Sequence, residues 1–209
     1  RVDGDAPRGT LSVDLSAVNH RVKELATAQS RDIEARLARE GIDYVHGRGR
    51  LASSTRVLAS TVEGERAFDA DVILVATGAR PRILDDARPD GERILTWDQV
   101  YDLDEVPERL IVVGSGVTGA EFASAYHALG SQVVLVSSRD RVLPGEDPDA
   151  AAVIEDAFTS RGMTVLERSR AQAVRRTDDG VIVTLGDGST VEGTHALLAL
   201  GSVFVVRED

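Results

Sequence analysis

Six residues carry the strongest chemical signal in the chain: Gly114-Ser115-Gly116-Val117-Thr118-Gly119. They follow Leu110-Ile111-Val112-Val113, which reads as a buried strand, and precede Ala120–Leu129, which reads as a helix ended by Gly130. A further apolar run, Gln132–Val136, reads as a second strand. Each glycine has its own use in that setting. Gly114 permits the tight turn from strand to helix, Gly116 leaves the backbone bare so that a diphosphate can approach, and Gly119 lets the helix pack closely on the strand. The N–H groups of the first helical turn, at the positive end of the helix dipole, then hold the anion. The pattern predicts a dinucleotide-binding loop. A glycine-rich turn in some other α/β protein is the plainer alternative.

The kind of dinucleotide is read at the end of the second strand, where NAD sites usually carry an Asp or Glu for the ribose hydroxyls. Here Ser137 takes the acidic slot, followed by Ser138, Arg139, Asp140 and Arg141. No carboxylate in that slot repels a 2′-phosphate, and Ser137, Ser138 and Arg139 are candidates to bind one. This favours NADPH, or use of both NADPH and NADH, over a loop whose arginines only face water.

The elements that must position this loop follow from periodicity. Asp14–Glu40 has apolar residues at helical spacing (Val18, Val22, Leu25, Ala26, Ile33, Leu37, Ala38), with Gly41 to end the helix, and its stripe is expected to dock on a sheet rather than bind a partner. Asp43–His46, Thr55–Ser60 and Asp71–Ala76 read as strands, with Gly47, Gly49, Ser53, Ser54 and Glu63–Arg66 as punctuation between them. Val72-Ile73-Leu74-Val75-Ala76 is continuously apolar, as in a parallel strand buried on both faces. Pro89-Asp90-Gly91 marks a turn before a new unit. Asp147–Ser160 reads as a helix capped by Asp147, with Pro148 in its first turn. Met163–Leu166 is a third strand. Three short strands, Ala173–Arg176, Val181–Leu185 and Ser189–Val191, are joined by the hairpin signals Asp179-Gly180 and Asp187-Gly188. Ala196–Leu200 is a last strand ending at Gly201. The order βαβαβ, meander, strand predicts an α/β unit with parallel strands.

Composition removes several chemistries. The net charge of −11 argues against a nucleic-acid surface. With no cysteine, the chain has no disulfide, thiolate metal site or cysteine nucleophile of its own. Lys23 is the sole lysine among 24 basic residues and lies in Arg21-Val22-Lys23-Glu24, which is not a Walker A loop. No tyrosine is followed four positions later by lysine, so the Tyr/Lys pair of short-chain dehydrogenases is missing. No apolar run is long enough to cross a bilayer. The start lacks both methionine and an apolar signal core, so the chain is expected to be an internal piece of a longer soluble, cytoplasmic protein.

Three motifs in order, Ala76-Thr77-Gly78, Gly114–Gly119 followed by Ala120-Glu121, and Leu198-Ala199-Leu200-Gly201, resemble the pyridine nucleotide–disulfide oxidoreductases. Arg141-Val142-Leu143-Pro144 extends the match over nearly the whole chain. The wording of Ile94-Leu95-Thr96-Trp97 and Val113–Phe122 is most similar to actinobacterial NAD(P)H–quinone reductases related to dihydrolipoamide dehydrogenase. The resemblance implies part of an FAD-binding domain over residues 1–90. It also implies a Rossmann-like, three-layer NAD(P)-binding domain with a β-meander crossover over 91–201, and an irregular tail over 202–209. It places Ala76, Thr77 and Gly78 against FAD and the backbone near Gly49 at its adenine. It puts Glu121 close to the nicotinamide and flavin, and lines the NAD(P) site with the backbones of Ala171 and Gly201. No catalytic side chain and no metal are expected in this segment. The whole protein would pass hydride from NAD(P)H to FAD and on to a quinone or disulfide acceptor, as a homodimer. The flavin-binding glycine loop and the interface domain of the family are not in this sequence, and Phe204-Val205 stands where the family has Pro-Asn. A cofactor-binding module without turnover is the alternative for the chain taken by itself. A nucleotide-sugar or methyl-donor enzyme would leave Ala76-Thr77-Gly78 unexplained.

Overall fold

The computed structural model describes residues 13–205, which fall into two units. One comprises His20–Gly78 with Val205; the other comprises residues up to Asn19 together with Ala79–Phe204. The boundary thus lies at Ala79, ahead of the expected turn at residue 90.

In the first unit, helix α1 (Leu15–Arg39) supplies all but its first residues. It ends as expected, with Gly41 at φ 70° and the N–H of Ile42 donating to the Leu37 carbonyl at 3.0 Å. Its apolar stripe is not docked, however: Val18, Val22, Leu25 and Ile33 are exposed, and only Leu15 and Asn19 are buried. The expected strand at Asp43–His46 is likewise irregular chain. The strands instead form an antiparallel meander, β1 (Arg48–Ser53), β2 (Arg56–Thr61) and β3 (Gly64–Asp69). The polar Glu63–Arg66 stretch read as punctuation therefore holds the second residue of the two-residue turn Val62-Glu63 and the start of β3. Gly64 at φ 124° closes that turn, and the Thr61 hydroxyl donates to the Gly64 carbonyl at 2.9 Å. Both meander faces are largely exposed, so the ladder and cross-strand pairs such as Arg56–Asp69 (2.7 and 2.8 Å) hold it, with little apolar alternation to betray it in sequence.

The Asp71–Ala76 expectation is also corrected. The run is irregular, with Val72 85% and Leu74 88% exposed. A parallel strand needs a neighbour for its ladder and two layers for its faces, and among the described residues nothing pairs with this run.

The second unit is the three-layer α/β domain expected. Its elements are β4 (Ala79–Pro81), β5 (Ile94–Thr96), β6 (Arg109–Val113), α2 (Val117–Ala128), β7 (Gln132–Val136) and α3 (Pro148–Ser160). They continue with β8 (Thr164–Leu166), β9 (Ala171–Arg176), β10 (Val181–Leu185), β11 (Thr190–Gly193), β12 (His195–Leu198) and β13 (Ser202–Phe204). Five strands form a parallel sheet in the order β5-β12-β6-β7-β8. Past their first residues, β6, β7 and β12 are apolar because both faces are covered. Leu95, Val112, Leu135 and Leu197 pack toward Leu15 of α1, Ala123 and Tyr126 of α2 and Phe158 of α3. Ile94, Ile111, Val113, Val134, Val136, Ala196 and Leu198 pack on the other side against the meander β9–β11 through Val174, Val181, Val183 and Leu185. Asp147 caps α3, its side chain accepting from the N–H groups of Asp149 (3.0 Å) and Ala150 (3.2 Å). The tail is not wholly irregular: β13 pairs antiparallel with β4, Ser202 opposite Pro81 and Phe204 opposite Ala79.

The turn into β5 is built on Asp90. Its Oδ1 accepts from the backbone N–H of Glu92 (2.9 Å), Arg93 (2.8 Å) and Ile94 (2.9 Å), and Arg176 lies 3.3 Å from Oδ2. Burial pushes this carboxyl up, but the three N–H groups and the guanidinium outweigh it, so its pKa lies below the ordinary value. A lowered carboxyl contributes stability that is present above its unfolded pKa, about 3.9, and lost as pH falls through the folded value. Asp90→Ala is expected to cost about 1–3 kcal/mol at pH 7, and the gap to the wild-type chain should close as pH falls below about 4. Urea denaturation at several pH values measures this; a gap that widened in acid would contradict it.

Candidate nucleotide-binding site

A pocket of about 530 Å³ opens at the C-terminal ends of β6, β7 and β12. This is where a sheet whose strand order reverses direction leaves a crevice for ligands. Here the reversal falls between β6, which leads through α2 to β7 on one side, and β12, which returns on the other.

The glycine loop forms the pocket floor, and each glycine is held by a different constraint. Gly114 has φ 114°, and its N–H donates to the Val136 carbonyl at 2.9 Å. A Cβ there would run into the Ala199 carbonyl oxygen at the end of β12. A Cβ on buried Gly119 would strike the carbonyl oxygen of Gly114, so this position sets the approach of helix to strand. Gly116 differs: a Cβ would meet nothing within 4 Å, because its open side faces the pocket. It is the N-cap of α2, extended at φ −69° and ψ −177°, and no side chain caps the helix. The first N–H groups of α2 have no partner within the helix and are left for a ligand. Val117 and Thr118 are exposed on this first turn. These features fit a diphosphate: bare backbone, free donors and a dipole end in one place.

Charge points the same way. Arg82, Arg139 and Arg170 line the pocket and no carboxylate does, in a chain whose net charge is −11. Ser138, Ser169, Ala171 and Gly201 also contribute to the lining, so four of the residues singled out in the sequence, Ser138, Arg139, Ala171 and Gly201, border this one pocket. Arg82 and Arg170 were missed; each directly adjoins a landmark, Pro81 or Ala171, but an arginine beside a loop carries no signal without its neighbours in space.

Ser137 requires correction as a direct ligand group. It is 0% exposed, and its hydroxyl lies 2.7 Å from that of buried Ser115. The same oxygen accepts from the Arg139 N–H (3.1 Å) and lies 3.2 Å from the carbonyls of both Arg139 and Arg141. Leu143 N–H donates to the Ser115 carbonyl at 2.8 Å, and Val142 N–H to Glu155 Oε2 at 2.7 Å. Ser115 and Ser137 therefore fasten the 137–144 loop to the glycine loop. Arg141 does not line the pocket; it donates to the carbonyl of Pro144, which does (3.4 Å). Glu121 is exposed on α2 and does not line the pocket.

Gly49 and Ala76-Thr77-Gly78 belong to the other unit. Gly49 pairs opposite Ala59 in the meander. Ala76, Thr77 and Gly78 are exposed; Gly78 has φ 76°, and its carbonyl accepts from Val205 N–H at 3.1 Å.

The family model of the pyridine nucleotide-disulphide oxidoreductases matches residues 5–206. The chain belongs to this family. It is 54% identical over 198 residues to a Mycobacterium tuberculosis protein named NAD(P)H dehydrogenase (quinone), covering 91% of this chain and 40% of that protein. It is 33% identical over 195 residues to dihydrolipoyl dehydrogenase of Zymomonas mobilis, covering 91% and 42%. Among solved structures, Mycobacterium tuberculosis LpdA superposes with a TM-score of 0.86 at 53% identity, over 93% of this chain and 44% of that one. The chain thus spans about 40% of the length of these family members. The Escherichia coli flavoprotein disulfide reductase RclA shares the fold, with a TM-score of 0.77 at 21% identity. Among the described residues no helix is long and apolar enough to cross a membrane.

Proposed function

We propose that this chain is the pyridine-nucleotide-binding part of a flavoprotein oxidoreductase. In the whole protein, NAD(P)H bound here passes hydride to FAD, and the reduced flavin delivers electrons to a quinone or disulfide-type small molecule. The observation that carries the reading is the uncapped, open Gly116 turn at the sheet's switch point, in a pocket lined by three arginines and no carboxylate. The chain's own work is to bind and orient: first-turn N–H groups of α2 hold the diphosphate, and the backbones of Ala199–Gly201 form the opposite wall. Ala76, Thr77, Gly78 and Gly49 are the residues proposed to meet FAD. The chain holds one glycine cradle of this kind, so the flavin diphosphate is assigned to a part of the protein outside this sequence. The whole protein is proposed to work in the cytoplasm, where NAD(P)H is supplied, as a homodimer that binds no nucleic acid.

Titration of the chain with NADH and NADPH, followed by calorimetry, tests the pocket, and a diaphorase assay with added FAD tests turnover. Saturable binding of either nucleotide supports the reading; binding of neither removes it. Binding without any FAD-dependent electron transfer matches a chain that supplies only the nucleotide site. Electron transfer by the chain alone would show that its flavin site is complete.

A further inference from the structure

We infer that Arg82 binds the nicotinamide-side phosphate of the dinucleotide. The two phosphates are then held by different groups, one by the first turn of α2 and the other by Arg82. This rests on the nucleotide site proposed above and deepens it. A dinucleotide's diphosphate carries two negative charges, whereas the end of one helix offers about half a positive charge. A further cation is needed in the crevice, and the strand order decides which arginine can supply it. Across the sheet the order is β12, β6, β7. The glycine loop follows β6 and holds the middle of the crevice, with Ser138 and Arg139 after β7 and Ala199–Gly201 after β12. In a strand–glycine–helix–strand site the adenosine lies at the end of the second strand, here β7, so the nicotinamide half runs toward β12.

Arg82 is the arginine on the β12 side. Its N–H donates to the Gly201 carbonyl at 3.0 Å, and Pro81 before it lies opposite Ser202 in the β4–β13 pair. On its other flank, Leu84 packs against the meander-facing core of the sheet and bridges to buried Ala87. The backbone that carries Arg82 is thus fixed on both sides, while the residue itself is exposed at the pocket wall. Arg139 and Arg170 stand at the opposite end. Ser169 N–H donates to the Ser137 carbonyl and Arg168 N–H to the Arg139 carbonyl, both at 2.7 Å, which joins their segments beside β7 and β8. The acids that follow Arg82 do not compete for it. Asp85 accepts from Arg88 at 3.4 Å, and neither Asp85 nor Asp86 lines the pocket. A guanidinium suits the task, because its planar fork gives a phosphate two parallel charge-assisted hydrogen bonds.

The test separates the two phosphates. NADH, ADP-ribose and 5′-AMP are each titrated into the chain and into Arg82→Gln and Arg82→Lys. ADP-ribose keeps both phosphates without the nicotinamide, and 5′-AMP keeps only the adenosine-side phosphate. Arg82→Gln should weaken NADH and ADP-ribose about tenfold and leave 5′-AMP within about twofold. Arg82→Lys should recover part of that loss, and the loss should shrink as salt is raised. Because Arg82 is exposed, urea denaturation should find both variants as stable as the wild-type chain. A loss shared equally by 5′-AMP, or no loss with ADP-ribose, overturns the assignment of Arg82 while leaving the dinucleotide site in place. Failure of all three ligands to bind the wild-type chain overturns the site itself.

Discussion

Gly119→Ala is expected to destabilise the nucleotide-binding unit by about 3 kcal/mol or more, while Gly116→Ala changes stability by no more than about 1 kcal/mol. The two residues lie three positions apart in one motif, so the contrast isolates geometry from composition. The Gly119 Cβ would overlap the Gly114 carbonyl oxygen and come within 3.3 Å of the Ala199 Cβ. Both obstacles belong to strand ends fixed in the parallel sheet, so α2 would have to lift off β6. The gain in helix propensity from glycine to alanine, about 1 kcal/mol, is too small to offset that. At Gly116 the added methyl meets no protein atom but stands where the proposed diphosphate would approach. Urea denaturation should therefore find Gly116→Ala close to the wild-type chain, and titration should find its NAD(P)H affinity reduced about tenfold or more. If Gly116→Ala bound both nucleotides as the wild-type chain does, the diphosphate would not lie on this turn.

Leu197→Ala is expected to cost about 3–5 kcal/mol. Leu197 is fully buried on the helix-facing side of the sheet, and β12 is hydrogen-bonded to β5 on one edge and β6 on the other. A strand pinned on both edges cannot move to fill a cavity, which places the cost in the upper part of the usual range for such truncations. Leu74→Ala is the matched control. Leu74 also sits in a continuous apolar run, yet it is exposed, and its truncation should change stability by less than about 0.5 kcal/mol. Equal costs at the two positions would mean that Val72–Ala76 is packed in solution.

These two leucines also mark how far local pattern reaches. Runs such as Ile111–Val113 and Val133–Val136 are legible as buried strands because the elements that cover them, α2, α3 and the β9–β11 meander, lie in the same stretch of sequence. The run at residues 72–76 has the same composition, but a parallel strand is defined by its neighbours, and this one has none among the described residues. The stripe of α1 fails as an indicator for the same reason. The β1–β3 meander fails in the opposite sense: its side chains are mostly solvated on both faces, so it forms a ladder with almost no hydrophobic period to read.

In the site, the glycine positions were legible because sterics at a strand-to-helix turn admit no other residue at Gly114 or Gly119. The serine at position 137 was legible as a missing carboxylate, but which way its hydroxyl points was not. That depends on Ser115, which lies 22 residues earlier in the chain and 2.7 Å away in space.

The residues of this chain, taken in order, determine where the parallel strands of the α/β unit run, where α2 and α3 begin, and where the bare glycine turn lies, because these depend on contacts among near neighbours and on backbone angles that few residue types allow. Only the folded arrangement decides that Arg82, Arg139 and Arg170 share one pocket, that Ser137 faces inward, and that Ser202–Phe204 returns to pair with Ala79–Pro81. Those outcomes join residues distant in sequence, and no local propensity encodes the distance between them.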